Sequence, residues 1–177
     1  MIIDAKIVNK PNSGEFEERV YDNESPCNSQ NWTWVKFLEN DGKEWVGNFR
    51  GSGHTVSLSK VLNEIFILTN NYILRISAET GDIIEIKDSP QYRSVTVSPN
   101  GNIVLADYYS LVKVGSNFTE LEDIPSPFQM DMIEFKEWTG DKLKFSCDEF
   151  LNKYRKNVRM ELDSKTWEIK EFLDDEN

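Results

Sequence analysis

Apolar and polar positions alternate along most of this chain with a period of two, and helical periodicity is almost absent. The strand-like runs are WTWVKFL, KEWVGNF, TVSLS, EIFILT, YILRIS, DIIEI, SVTVS, NIVLA, LVKVG, DKLKFS, NVRMEL and WEIKEF. Turn-forming pairs stand between them: Asp41-Gly42, Asn70-Asn71, Gly81-Asp82, Asn100-Gly101 and Gly140-Asp141. The stretch SVTVSPNGNIVLAD, from Ser94 to Asp107, shows the unit most plainly, two β-branched arms joined by Asn100-Gly101. That dipeptide tolerates two positive φ angles and so predicts a type I′ hairpin, with Val95, Val97, Ile103 and Leu105 turned inward.

The hairpins recur. Ile65, Ile103 and Leu143 each centre the second strand of a unit and stand 38 and 40 residues apart, the spacing of a repeated supersecondary structure. Three units follow, at 53–88, 91–125 and 128–173, each with four strand-like runs in the same order. The first 50 residues contain a firm hairpin, NWTWVKFLENDGKEWVGNF, preceded by weaker strand character, and are expected to supply a degenerate fourth unit. At 177 residues the chain has the length of one domain with a real core. The expected fold is therefore a single all-β domain spanning 1–177, a small propeller-like repeat of four-stranded antiparallel sheets. An open or sandwich-like stack of the same sheets fits the period equally.

Two of these stretches resemble a known family. SVTVSPNGNIVLAD is similar to the first two strands of WD-type and related propeller blades, and RISAETGDIIEI to their passage from third to fourth strand. Gly53-His54 stands where WD repeats often carry a Gly-His pair. The resemblance covers about Gly53 to Phe172 and implies propeller-type blades.

Charge narrows the partners. Twenty basic and 31 acidic residues leave −11 at neutral pH, which disfavours nucleic acid and anionic membranes and favours a basic protein. The span from Val114 to Phe135 holds no base, whereas Lys153, Arg155, Lys156 and Arg159 cluster later. Cys27 and Cys147 lie too far apart to read as a metal or disulfide motif and are expected to be reduced thiols. Asp4 and Lys6 interrupt the apolar start, and no run approaches membrane-spanning length, so a cytoplasmic location is expected. The sequons at Asn23, Asn31 and Asn117 then count as chance matches.

Candidate chemistry is sparse. The single histidine, His54, is expected to serve a structural role, and nucleophile or acid–base schemes have little else to use. ENDGKE, at Glu39 to Glu44, lacks the spaced ligands of a calcium loop and reads as a hairpin turn. No phosphate-cradling glycine pattern or serine elbow occurs. The expectation is a protein without catalytic activity, metal or cofactor, although 31 acids leave carboxylate pairs of the glycosidase kind open. CDEFLNKYRKN, from Cys147 to Asn157, interrupts the last unit, with Phe150, Leu151 and Tyr154 spaced for a short helix or a packed loop.

Aromatic residues beside acids are the remaining signal. Trp32 and Trp34 share one face of their strand, with Trp45 nearby, as core or as site. Adjacent strand residues face opposite ways, so at least one of Tyr108 and Tyr109 is expected to point outward or to cap a hairpin. The candidate partner-binding set is Glu120, Glu122 and Asp123, with Tyr108, Tyr109 and Asp107, and with Glu39, Asp41 and Glu44: aromatic anchors with an acidic rim. An acidic chain without chemistry is similar in general profile to immunity proteins of bacterial polymorphic-toxin and contact-dependent inhibition systems. The resemblance implies an inhibitor that blocks a basic toxin domain such as a nuclease. A carbohydrate or small-ligand binding module is the alternative, and an unrecognised enzyme a more distant one.

Overall fold

The computed structural model describes residues 1–22, 29–88, 91–150 and 154–172. Among the described residues it is all-β: sixteen strands form four four-stranded sheets, none closed into a barrel, and no helix occurs. The chain divides into two compact units, 1–95 and 96–177.

Three sheets are antiparallel meanders in which each strand pairs with its sequence neighbour. The second sheet comprises β5 (Gly53–Ser59), β6 (Glu64–Thr69), β7 (Tyr72–Ser77) and β8 (Ile83–Asp88). The third comprises β9 (Ser94–Val97), β10 (Ile103–Ala106), β11 (Leu111–Val114) and β12 (Leu121–Ile124). The fourth comprises β13 (Met130–Thr139), β14 (Lys142–Glu149), β15 (Arg155–Asp163) and β16 (Ile169–Glu171). Ile65, Ile103 and Leu143 all fall in the second strand of their sheet and are all buried.

The first sheet departs from this pattern. Its strands β1 (Ile2–Val8), β2 (Glu17–Tyr21), β3 (Trp32–Glu39) and β4 (Glu44–Arg50) lie in the order β1-β3-β4-β2. β2 runs parallel to β4, with Arg19 opposite Gly47 and Tyr21 opposite Phe49. It is held from both sides of its own sequence: Tyr21 stacks on Phe49 at 4.5 Å, and the Arg19 guanidinium lies 4.2 Å from the Trp45 ring centre. Tyr21 Oη and Arg19 Nη1 donate to the Gly81 and Thr80 carbonyls at the β7–β8 turn. Val20, the apolar residue of the strand, is 64% exposed.

In unit 1–95 the core joins the first two sheets, with Val35, Phe37, Trp45 and Phe49 packed against Ile65, Ile67, Tyr72, Leu74 and Ile76. Gly53 permits this approach, because a Cβ there would stand 2.6 Å from Thr33 Cγ2. In unit 96–177 Val104, Ala106, Leu111 and Ile124 pack with Met130, Leu143, Phe145, Met160 and Leu162 of the fourth sheet. The inner strands β6 and β10 are buried on both faces: Ile65 to Leu68 are all fully buried, and so is Val104 between Ile103 and Leu105. The inward positions Val95, Ile103 and Leu105 are buried as expected and Val97 is half-buried, but alternation does not separate core from solvent here.

The Asn100-Gly101 turn differs from the expected type. Only Gly101 has positive φ, at 86°, while Gly101 N donates to Ser98 O and Ser98 N to Asn102 O. This is a type I turn closed by a left-handed glycine. Pro99 dictates it, since its ring fixes φ near −65° at the position after Ser98.

Candidate functional site

The β10–β11 turn carries an exposed pair of aromatic residues. Asp107 builds it: Oδ1 accepts from the backbone N–H of Tyr109 and of Ser110, both at 2.7 Å. A carboxylate that caps its own turn in this way removes the strand constraint on the next two side chains. Tyr108 and Tyr109 consequently both reach solvent, 40% and 60% exposed, with ring centres 6.2 Å apart. The expectation that at least one of them points outward or caps a hairpin is met by both, because neither lies in a strand.

A residue absent from the sequence reading completes this surface. Met132, 57% exposed, sits at a register shift in β13 with φ of 53°. Its backbone N–H donates to Asp131 Oδ1 at 2.7 Å, and Ile133 N donates to Tyr108 O at 3.4 Å, which ties the bulge to the tyrosine turn. Left-handed backbone is costly for an unbranched non-glycine residue and re-aims its side chain outward. Tyr108, Tyr109 and Met132 are thus exposed apolar residues on two segments joined by that hydrogen bond, with Asp107 and Asp131 next to them in sequence. The available signal was the base-free span, to which Asp131 belongs; no local pattern announces the bulge.

The other acids have different situations. Glu120 stands at the far end of β11, on the order of 10 Å of strand from the tyrosines. Its carboxylate accepts from Ser116 N and Oγ and from Asn117 Nδ2, and the Ser116 hydrogen bonds hold its pKa below the ordinary value. It therefore braces its own loop. Glu122 lies 3.9 Å from Lys113 Nζ, while Asp123 is exposed on the edge strand β12, opposite Val112 and toward the tyrosine end. In unit 1–95, Glu39, Asp41 and Glu44 surround the β3–β4 hairpin. Glu44 pairs with Lys36 at 2.7 Å, Glu39 lies 4.0 Å from the N-terminal ammonium, and Asp41 caps Lys43 N. Their charge is largely answered locally.

Trp45 is core, fully buried and packed on Phe37 at 4.3 Å. Trp32 and Trp34 are half-buried on the opposite face of β3, where they line a groove of about 590 Å³ with Asn9, Lys10 and Asn31. Lys10 Nζ lies 5.8 Å from the Trp34 ring centre and the Arg50 guanidinium 4.7 Å from that of Trp32.

His54 lies in β5 with Nε2 2.8 Å from Arg93 Nη1. Arginine only donates, so Nε2 accepts and the ring is neutral with its proton on Nδ1. Burial, and then the Arg93 charge, hold its pKa below the ordinary 6.5. The unfolded chain thus binds this proton more readily, and the linked stability is complete above pH 6.5 and lost as pH falls through the lower folded value. Urea melts at pH 7.5 and 5.5 are expected to show lower stability at the acid end, a difference that shrinks in His54→Gln; an unchanged difference would contradict the assignment.

Burial, reinforced by the Asp148 carboxylate, pushes the Cys147 thiol up to about 12, and the residue is free and buried. Cys27, the sequon at Asn23, and Leu151 of the interrupting segment lie outside the described residues; Phe150 and Tyr154 are exposed. Among the described residues, no group of three His, Cys, Asp or Glu is placed to hold a metal, and no helix is long and apolar enough to cross a membrane.

No family model matches this chain, and no curated protein does. Among solved structures, hydrazine synthase of Kuenenia stuttgartiensis is similar at 12% identity and a TM-score of 0.53, over 92% of this chain and 50% of that one. A luciferin-regenerating enzyme is similar at 14% identity and a TM-score of 0.46, over 66% of this chain and 44% of that one. The chain thus spans half or less of each, and the first likeness concerns the fold alone.

Proposed function

We propose that this chain is a protein-binding inhibitor, an immunity protein that neutralises a basic bacterial toxin domain, of nuclease type, by covering its active site. The observation behind the reading is the exposure of Tyr108, Tyr109 and Met132, with Asp107 and Asp131 next to them in sequence, on a chain of net charge −11. Apolar anchors beside carboxylates suit a cationic groove built for phosphates: the charges speed encounter and the anchors slow release. In this reading the repeated sheets are blades related to the WD type, the protein acts in the cytoplasm, and no reaction, metal or cofactor is assigned to it.

Co-expression with the toxin-domain product of a neighbouring gene, followed by capture kinetics, tests the proposal. Association is expected to slow as salt rises, because screening shortens the reach of attraction to about 8 Å near physiological ionic strength. Glu122→Lys with Asp123→Lys is expected to slow capture further, whereas Tyr109→Ala is expected to speed release by about 30-fold, as for an anchor worth about 2 kcal/mol. A salt-insensitive association rate, or recovery of acidic partners only, would defeat the reading.

The groove at Trp32 and Trp34 favours a second reading, a carbohydrate-binding module, since half-buried indoles beside asparagine amides can stack on and hydrogen-bond to a sugar. A glycan array separates the two: specific glycan retention lost in Trp34→Ala supports the second, and an empty array removes it.

A further inference from the structure

The outward face of the first sheet carries two indoles where a solvated strand ordinarily carries polar side chains. Thr33, Val35 and Phe37 of β3 are buried, so Trp32 and Trp34 share the other side of the strand, about 7 Å apart along it. Both are half-buried and line the groove of about 590 Å³, a volume within the range of small-molecule sites. Two large rings in line on one wall suit a ligand built of successive rings.

Charge narrows that ligand. On a chain of net charge −11, the described residues lining the groove include no acid, and Lys10 is their one base. Lys10 stands past the last β1–β3 pair, Val8 opposite Trp34, with its ammonium 5.8 Å from the Trp34 ring centre. Across the sheet Asn48 and Arg50 lie opposite Trp34 and Trp32, and each already holds a carboxylate, Glu18 at 2.9 Å and Asp22 at 2.6 Å. A neutral sugar brings hydroxyl protons that call for strong acceptors, and carboxylates are the strongest a protein has. This groove supplies donors instead. Ser52 Oγ accepts from Asn31 Nδ2 at 3.0 Å and keeps its own proton to donate, and Asn9 lines the same groove.

We infer that the groove binds an acidic saccharide, an oligomer of uronic acid. One pyranose ring would stack on Trp34, with its neighbour against Trp32. A ring carboxylate would meet the Lys10 ammonium in a charge-assisted hydrogen bond, and the Ser52 hydroxyl and Asn9 amide would donate to further ligand oxygens. A uronate brings its own carboxylate acceptors to a groove that has none. The inference rests on the carbohydrate-binding reading of Trp32 and Trp34, whose ligand it narrows, and is independent of the tyrosine surface.

Calorimetric and tryptophan-fluorescence titrations of the full chain with trigalacturonate and with its full methyl ester decide the matter, because the two ligands differ only at the carboxylates. The acid is expected to bind saturably with a Kd below about 1 mM, and the ester about tenfold more weakly. Lys10→Gln is expected to bring the acid to the level of the ester and leave the ester unchanged, and Trp34→Ala to abolish both, with circular dichroism unchanged in each variant. Equal binding of acid and ester, or a preference for the acid that persists in Lys10→Gln, would overturn the inference and leave the carbohydrate-binding reading standing. Absence of saturable binding by the acid would overturn the inference alone, whereas an empty glycan array, or unchanged binding in Trp34→Ala, would remove that reading with it.

Discussion

Ile103→Asp is expected to leave no folded protein at 25 °C. Ile103 is 5% exposed at the head of β10, a strand whose four residues are all buried. An aspartate there meets no cation supplied for it, and burying an unpaired carboxylate costs several kcal/mol, on the order of the roughly 5–15 kcal/mol that holds a domain together. Ile83→Asp is the matched control, because Ile83 is 39% exposed on the edge strand β8. Its effect is expected within about 0.5 kcal/mol. Circular dichroism melts of the two variants check the assignment; a normal melting temperature for Ile103→Asp would show that the third sheet is paired in another register.

Gly47→Val is expected to destabilise by about 3 kcal/mol or more, the upper end of the usual cost of overpacking. A Cβ at Gly47 would stand 2.6 Å from Phe49 Cε2 and 3.0 Å from Phe37 Cε2. Both rings are fully buried, Phe49 is stacked on Tyr21, and Phe37 is packed on Trp45, so neither has room to withdraw. A strand otherwise welcomes valine, which makes the sign of the effect informative. Phe49→Leu in the Gly47→Val background is expected to recover part of the loss, measured as the urea midpoint. Wild-type stability in the single variant would contradict the close approach of these rings.

The repeat was legible because it is local. Each of the last three sheets is a chain of hairpins, so turn residues and β-branched arms a few positions apart carry most of the information, and Ile65, Ile103 and Leu143 mark the same strand of each. What escaped is non-local. KPNSG, between β1 and β2, has the composition of a hairpin turn, yet β1 pairs with β3 and β2 with β4. Contacts of Arg19 and Tyr21 with Trp45, Phe49 and the β7–β8 turn determine that placement, and neighbouring residues do not encode it. The type I′ expectation failed for a legible reason, since Pro99 stood in the sequence directly before Asn100-Gly101. At the candidate surface the tyrosines and the acidic span were visible. Met132 was not, because a left-handed methionine follows from a strand bulge that its own side chain does nothing to specify.

The order β1-β3-β4-β2 also has a consequence for the nascent chain. Strands of the later sheets meet their partners as soon as the next hairpin leaves the ribosome, but β1 must wait for residues 32–39 and β2 for residues 44–50. Even then Tyr21 and Arg19 lack their acceptors until Gly81 and Thr80 have been made. At about 5–20 residues per second, the interval between synthesis of Tyr21 and of its acceptor is on the order of seconds, with β-prone segments unpaired throughout. Among the described strands the opening two therefore wait longest for their partners, and they are the natural place for a chaperone to hold the growing chain.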